Sequence, residues 1–331
     1  MSYIRFCQYR INSKKIVFND ILGIFRKKLE KIITMKKNIK TIAAISVFTI
    51  VFLALVSCEK SSTSPVDQPF HHDPISETFD EANKPSYETR TYDDNGTSRS
   101  YELMLPWNYD KDYNADRIYP LMINVHYSGS LVAGNTDRMQ DYPCFCLDAA
   151  ANSDWVYAMV AELVAIYRID TNRIYLAGFS AGGSGSYPFA SNLKAQQGLT
   201  IAGIVRCAGG SNTALSEAIA GKTSVWYHVG LSDSYDFGYG NGLLSEDPND
   251  ERRISNQAYA YVKGLDTSVG ADETVKTDTY NDYERTTTAL SQAGVEFFKR
   301  SHYAGMGHSA PAYGDPEVVE WLFNQHLSNW D

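Results

Sequence analysis

Basic residues are scarce where the chain is longest. Of 331 residues, the part after Cys58 holds 19 Lys and Arg against 37 Asp and Glu, a formal charge of −18. A body of that sign repels phosphate backbones, which excludes nucleic acid as a partner. Cysteine is scarce too, with five in all. Cys144, Cys146 and Cys207 are an odd set for the main body, so no full disulfide framework is implied, and none has a zinc-site spacing. Cys144 and Cys146 alternate on a predicted strand and would point the same way, as small buried apolar groups do. No repeat of solenoid period occurs. One long uncharged apolar run exists, residues 41–56 (TIAAISVFTIVFLALV), and it is shorter than the roughly 20 residues usual for a span.

That run organises the N-terminus. Lys36, Lys37 and Lys40 precede it after Met35, and small residues follow it, the order of a secretory signal peptide. It ends in Leu55-Val56-Ser57-Cys58, which resembles a bacterial lipobox, where the cysteine becomes the lipidated first residue. The expectation is a lipoprotein signal over 35–57, lipid on Cys58, and a mature protein anchored to a bilayer facing periplasm or cell surface. Residues 1–34, with a basic amphipathic stretch at 16–33, lie ahead of that signal and read as a spurious or cytoplasmic extension. Residues 58–86 contain a Ser-, Pro- and acid-rich segment with no sustained period, the composition of a flexible tether. His71-His72 within it are two histidines without nearby Cys, so a metal reading is weak, and no metal or cofactor site is assigned.

From residue 87 to 331 the pattern is that of one domain. Residues 99–105 (RSYELML) read as an edge strand and 119–127 (YPLMINVHY) as a strand buried on both faces. A short strand follows at 144–147. Ser153 is a candidate N-cap for a helix carrying Trp155, Met159, Leu163 and Tyr167 at i, i+4 spacing. Strands at 174–177, 201–207 and 224–229 come next, the first two separated by a Gly-rich turn and a helix. Alternation of this kind predicts an α/β fold with a mostly parallel sheet covered on both faces. Residues 236–282 interrupt it with a polar Gly- and Asp-rich stretch, read as an insertion that shapes a binding pocket, with weak helical character at 254–261. Beyond it, 283–293 reads as helix, 295–299 as strand and 316–327 as a closing helix.

The chemistry concentrates at Gly178-Phe179-Ser180-Ala181-Gly182-Gly183. This G-x-S-x-G lies directly after a predicted buried strand and before a helix, the context of a nucleophile elbow. Glycines suit a tight strand-to-helix turn that leaves the Ser180 hydroxyl outward and aims the Ala181 N–H at a developing oxyanion. A hydroxyl needs a base, and the chain has seven histidines. The order nucleophile, acid, base selects a late one. His308, in Gly305-Met306-Gly307-His308, follows the last predicted strand; His302 and His326 are weaker candidates, at a strand end and on a helix face. The acid should follow the strand ending at Val229. Asp233 is favoured there, with Asp236 as competitor.

These segments together resemble secreted esterases of the α/β-hydrolase fold, the feruloyl-esterase and polyhydroxybutyrate-depolymerase-like group. The resemblance spans residues 99–327. It is carried by Tyr119-Pro120-Leu121 with His126, Tyr167-Arg168-Ile169-Asp170 through Arg173-Ile174-Tyr175, the elbow, His228-Val229-Gly230-Leu231-Ser232-Asp233, and the glycine-flanked His308. It implies hydrolysis of carboxylic esters through an acyl-enzyme, without cofactor, on acyl groups such as those of plant polysaccharides. It also implies a second oxyanion N–H from the loop after His126. The family usually has glycine there; this chain has Tyr127-Ser128, whose backbone N–H groups would be the donors. A peptidase of the same fold and a non-catalytic glycan-binding surface lipoprotein are the alternatives. Pro188 in the helix after Ser180 predicts a kink or shortening.

Overall fold

The computed structural model describes residues 70–72, 78–111, 114–125, 130–149, 153–210, 222–238, 244–265 and 270–330. Residues 1–34, the expected signal at 35–57, Cys58 and the loop of Tyr127 and Ser128 lie outside them.

Among the described residues, ten strands form one sheet. They are β1 (Glu88–Asp94), β2 (Thr97–Met104), β3 (Tyr119–Val125), β4 (Phe145–Ala149), β5 (Ile169–Phe179), β6 (Gly203–Cys207), β7 (Ser224–Gly230), β8 (Asp272–Tyr280), β9 (Tyr283–Gln292) and β10 (Val295–Tyr303). Their spatial order is β1-β2-β4-β3-β5-β6-β7-β10-β9-β8. The central run from β4 to β10 is parallel, and an antiparallel pair closes each edge. With the strand-to-helix elbow after β5, this is the α/β-hydrolase fold.

Helices cover both faces. They are α1 (Thr136–Asp141), α2 (Asp154–Ile166), α3 (Ala181–Gln197), α4 (Ile254–Lys263) and α5 (Pro316–Phe323). Alternation along the strands sorts the core. Leu121, Ile123, Ile174 and Leu176 pack with Val160 of α2, Phe189 of α3 and Val262 of α4. Their neighbours Met122, Tyr175 and Ala177 pack with Val319, Leu322 and Phe323 of α5. Strands apolar at every position are the sequence mark of such double burial. Cys144, Cys146 and Cys207 are free thiols in the second cluster, with the Cys144 and Cys146 Sγ atoms 3.6 Å apart.

Several elements depart from the sequence reading. Residues 283–293 were expected to be helical, yet Tyr283–Gln292 is strand β9. The β-branched run Thr286-Thr287-Thr288 favours the pleated surface. Tight turns at Asn281-Asp282 (φ 48° and 65°) and Ala293-Gly294 (φ 51° and 85°) fold β8, β9 and β10 into consecutive hairpins. Positive φ at both central residues matches the twist of the paired strands. The stretch 236–282 is accordingly no single loop, because it ends in the edge strand β8 and contains α4. The closing helix stops at Phe323, and His326 lies beyond it, stacked on Phe70 at 4.5 Å. Pro188 does not shorten α3, which runs 17 residues with the proline inside. One lost helical bond is offset by the burial of Tyr187, Phe189, Ala190 and Leu193. The described part of the expected tether is docked on the domain. Asn329 and Asn324 accept from the Phe70 and His72 N–H groups, His72 Nε2 bonds the Asp141 carbonyl, and Phe79 packs on Trp107.

Candidate active site

The site is assembled where β5, β7 and β10 end together. Ser180 follows β5 with φ 55° and ψ −115°, a conformation that costs a non-glycine residue about 1–3 kcal/mol. Neighbouring backbone enforces it. A Cβ on Gly178 would lie 2.4 Å from the Gly182 carbonyl oxygen, and one on Gly183 would lie 2.4 Å from that of Cys207. The Ser180 N–H donates to the Cys207 carbonyl at 3.0 Å, tying the elbow to β6. Ala181 begins the 17-residue helix α3, so its N–H sits at the positive end of the helix dipole.

The acid and base loops are locked against one another. β7 and β10 pair in parallel up to Gly230 opposite Tyr303. A Cβ on Gly230 would come within 2.0 Å of the Met306 carbonyl oxygen, so only glycine permits this approach. The Leu231 and Ser232 N–H groups then donate to the Tyr303 and Met306 carbonyls, both at 2.9 Å. Buried Met306 anchors the loop that presents His308.

Ser180, Asp233 and His308 come into contact. His308 Nδ1 is 2.9 Å from Asp233 Oδ2, and His308 Nε2 is 2.9 Å from Ser180 Oγ. An ionised carboxylate only accepts, so Nδ1 carries the proton and Nε2 is left to accept from the serine hydroxyl. The Asp233 side chain is 0% exposed, and its Oδ1 accepts from the Tyr235 N–H at 2.9 Å. The His308 side chain is 29% exposed, within reach of a substrate.

The competing residues lie elsewhere. Asp236 is fully buried in an ion pair with Arg253 Nη1 at 3.1 Å and accepts from the Ser255 N–H and hydroxyl. Burial pushes its carboxyl above the usual range, against the lowering pull of Ser255 and Arg253. His302 Nε2 is 3.0 Å from the Ser255 hydroxyl, and burial, helped by the positive Arg300 and Arg253, pushes this imidazole down to about 3. His228 is buried against Tyr303, its Nδ1 2.9 Å from that hydroxyl, and burial holds it well below the ordinary histidine range. Cys207 is the nearest thiol to the elbow in sequence context, and burial pushes it up to about 12, far from a reactive thiolate.

Sequence reasoning passed over three contributors. Gly230 sits inside the motif that led to Asp233, but its role as a contact point shows only once the loops are paired. Phe179 and Tyr235 flank His308, with ring centroids at 4.9 and 4.4 Å from the imidazole. The described cavity of about 550 Å³, lined by residues that include Lys299, Glu317 and Trp321, includes none of the three contacting residues.

No protein-family model matches the chain, and no curated protein sequence does either. Among solved structures it is similar to a thermostable esterase, at 19% identity and a TM-score of 0.47 over 72% of this chain. The match spans 63% of that esterase's own length. It is also similar to an acetyl xylan esterase from Aspergillus awamori, at 16% identity and a TM-score of 0.46, over 72% of this chain and 99% of that one. A ferulic acid esterase matches at 12% identity and a TM-score of 0.41, over 72% and 98%.

Proposed function

We propose that the chain is a serine esterase that hydrolyses carboxylic esters through an acyl-Ser180 intermediate. The observation that carries this reading is the continuous contact from Ser180 Oγ through His308 to Asp233, made on a strained elbow at a helix N-terminus. Ser180 Oγ attacks the ester carbonyl carbon while its proton passes to His308 Nε2. Buried Asp233, bonded at Nδ1, orients the ring and offsets the imidazolium charge. The carbonyl oxygen becomes an oxyanion facing the Ala181 N–H, with a second donor assigned to the Tyr127 or Ser128 backbone. Each such donor is worth about 10²–10³ in rate. The C–O bond to the alcohol then breaks, and His308 returns the proton to the departing oxygen. Water, deprotonated by the same imidazole, cleaves the acyl-serine and restores the enzyme.

Acyl esters of polysaccharides are the proposed substrate class, supported by the motif resemblance. Export with lipid on Cys58 belongs to the same proposal. Turnover of p-nitrophenyl acetate, lost in Ser180→Ala, tests the esterase reading. A panel of acetyl, feruloyl and peptide substrates tests the class, and turnover of peptides alone would replace esterase by peptidase.

A further inference from the structure

His308 is held by little of its own chain. Gly305 stands at φ 71°, a Cβ on Gly307 would meet nothing within 4 Å, and the loop's described anchor is Met306, two residues earlier. A side chain so mounted has several rotamers, of which one places Nε2 on Ser180 and Nδ1 on Asp233 at once. Yet two aromatic rings lie against its own. Phe179 stands at 4.9 Å and 36° to the imidazole, and Tyr235 at 4.4 Å and 35°.

Both rings are placed by the residues that the histidine must join. Phe179 immediately precedes Ser180 on the strained elbow, so the turn that aims the hydroxyl also sets the ring. Tyr235 lies two residues after Asp233 and donates its N–H to Asp233 Oδ1 within the short helix Ser234–Phe237. Its backbone is pressed against Gly210, where a Cβ would stand 2.8 Å from the Tyr235 carbonyl oxygen. Nucleophile and acid are therefore each tied to one of the two rings against which the imidazole packs.

We infer that Phe179 and Tyr235 form an aromatic clamp on His308, serving as positioning residues that hold the imidazole in its productive rotamer and attract the charge it takes on as Ser180 attacks. The inference rests on the esterase reading of the same site. The chemistry asks for such a device at one moment. When Ser180 attacks, His308 becomes an imidazolium, and aromatic faces attract a cation that water would otherwise solvate. Attraction that grows as charge develops lowers the barrier without tightening ground-state binding. The clamp should therefore act on kcat and spare KM.

The test compares wild type with Tyr235→Phe, Tyr235→Leu and Phe179→Leu, using a p-nitrophenyl ester and labelling of the serine by a fluorophosphonate. Tyr235→Phe should keep kcat within about threefold, because the ring face remains. Tyr235→Leu and Phe179→Leu should each lower kcat about 10- to 100-fold with KM within about twofold, the scale of a misplaced catalytic group. Fluorophosphonate labelling should slow by a similar factor, since it needs the activated hydroxyl and no acyl pocket. A proton NMR spectrum adds a readout independent of turnover. The low-field Nδ1–H resonance of the His308–Asp233 bond should be present in wild type and Tyr235→Phe, and broadened away in Tyr235→Leu. Full activity and an unchanged resonance in Tyr235→Leu would overturn the clamp. So would a rise in KM that accounts for the whole loss, which would make the ring a substrate contact. A wild-type protein that neither labels nor turns over esters would overturn the esterase reading instead, while a resonance lost in Tyr235→Leu would still report the clamp.

Discussion

Asp233→Asn and Asp236→Asn should fail in opposite ways, although the two residues lie three apart in one turn. Asp233 faces the imidazole at 2.9 Å, whereas Asp236 is fully buried and paired with Arg253, whose own side chain is also 0% exposed. Removing the Asp236 charge leaves a guanidinium without its counter-ion and turns an amide donor toward Arg253 or Ser255. Breaking a buried pair in this manner costs about 3–5 kcal/mol. For a domain of this size each kcal/mol lowers Tm by about 2–4 °C, so a fall of about 6–20 °C is expected. The contacts from Ser180 through His308 to Asp233 are untouched, so kcat per folded molecule should stay within about tenfold of wild type. Asp233→Asn should do the reverse. An amide in place of the carboxylate stabilises the wrong imidazole tautomer and should lower kcat by about 10⁴, with a smaller change in Tm. Differential scanning fluorimetry and kcat referred to titrated active serine separate the two. A larger kcat loss in Asp236→Asn than in Asp233→Asn would refute the assignment of the acid.

Three further outcomes are expected. Gly230→Ala would drive a methyl to 2.0 Å from the Met306 carbonyl oxygen and part the acid loop from the base loop. Activity should fall about 10²-fold in protein that still folds, measured as kcat/KM beside the circular dichroism spectrum. His302 is pushed down to about 3 in the folded state. The unfolded chain binds that proton near pH 6.5, so the stability is full above pH 6.5 and is lost as pH falls from 6.5 toward 3. Between pH 7.5 and 5 the loss should be about 2 kcal/mol by denaturant unfolding, and His302→Gln should flatten that part of the profile. Mass spectrometry of the N-terminal peptide from a membrane fraction should find diacylglyceryl-Cys58. Peptides from residues before Met35 in the mature protein would contradict the proposed processing.

The parts legible in the sequence were those governed by local rules. β3 announced itself as a nearly continuous apolar run and the 174–177 part of β5 as a short one because both faces are buried there, and Gly178 is demanded by a backbone contact four residues on. Asp233 and His308 could be named from chain order relative to the strands. What could not be read depends on partners distant in sequence. β9 has few apolar residues to show a period, and beyond its β-branched threonine run the strand is decided by its hairpin partners. The hairpin turns Asn281-Asp282 and Ala293-Gly294 lack the Asn-Gly pair that would have flagged them, although Asn95-Gly96 at the other edge carries it. Phe70 and His72 looked like tether by composition, but Asn324 and Asn329, some 250 residues later, hold them down. Phe179 and Tyr235 carry no motif of their own, because a ring beside an imidazole is a property of the assembled site.

The central claim is that Ser180 is an activated nucleophile. Intact-mass analysis after brief exposure to a fluorophosphonate probe tests it most directly, needing no knowledge of the substrate. The account predicts one adduct per chain, mapped to Ser180, absent in Ser180→Ala and formed about 10⁴-fold or more slowly in His308→Ala. An unlabelled wild-type protein, or labelling equally fast without His308, would contradict it.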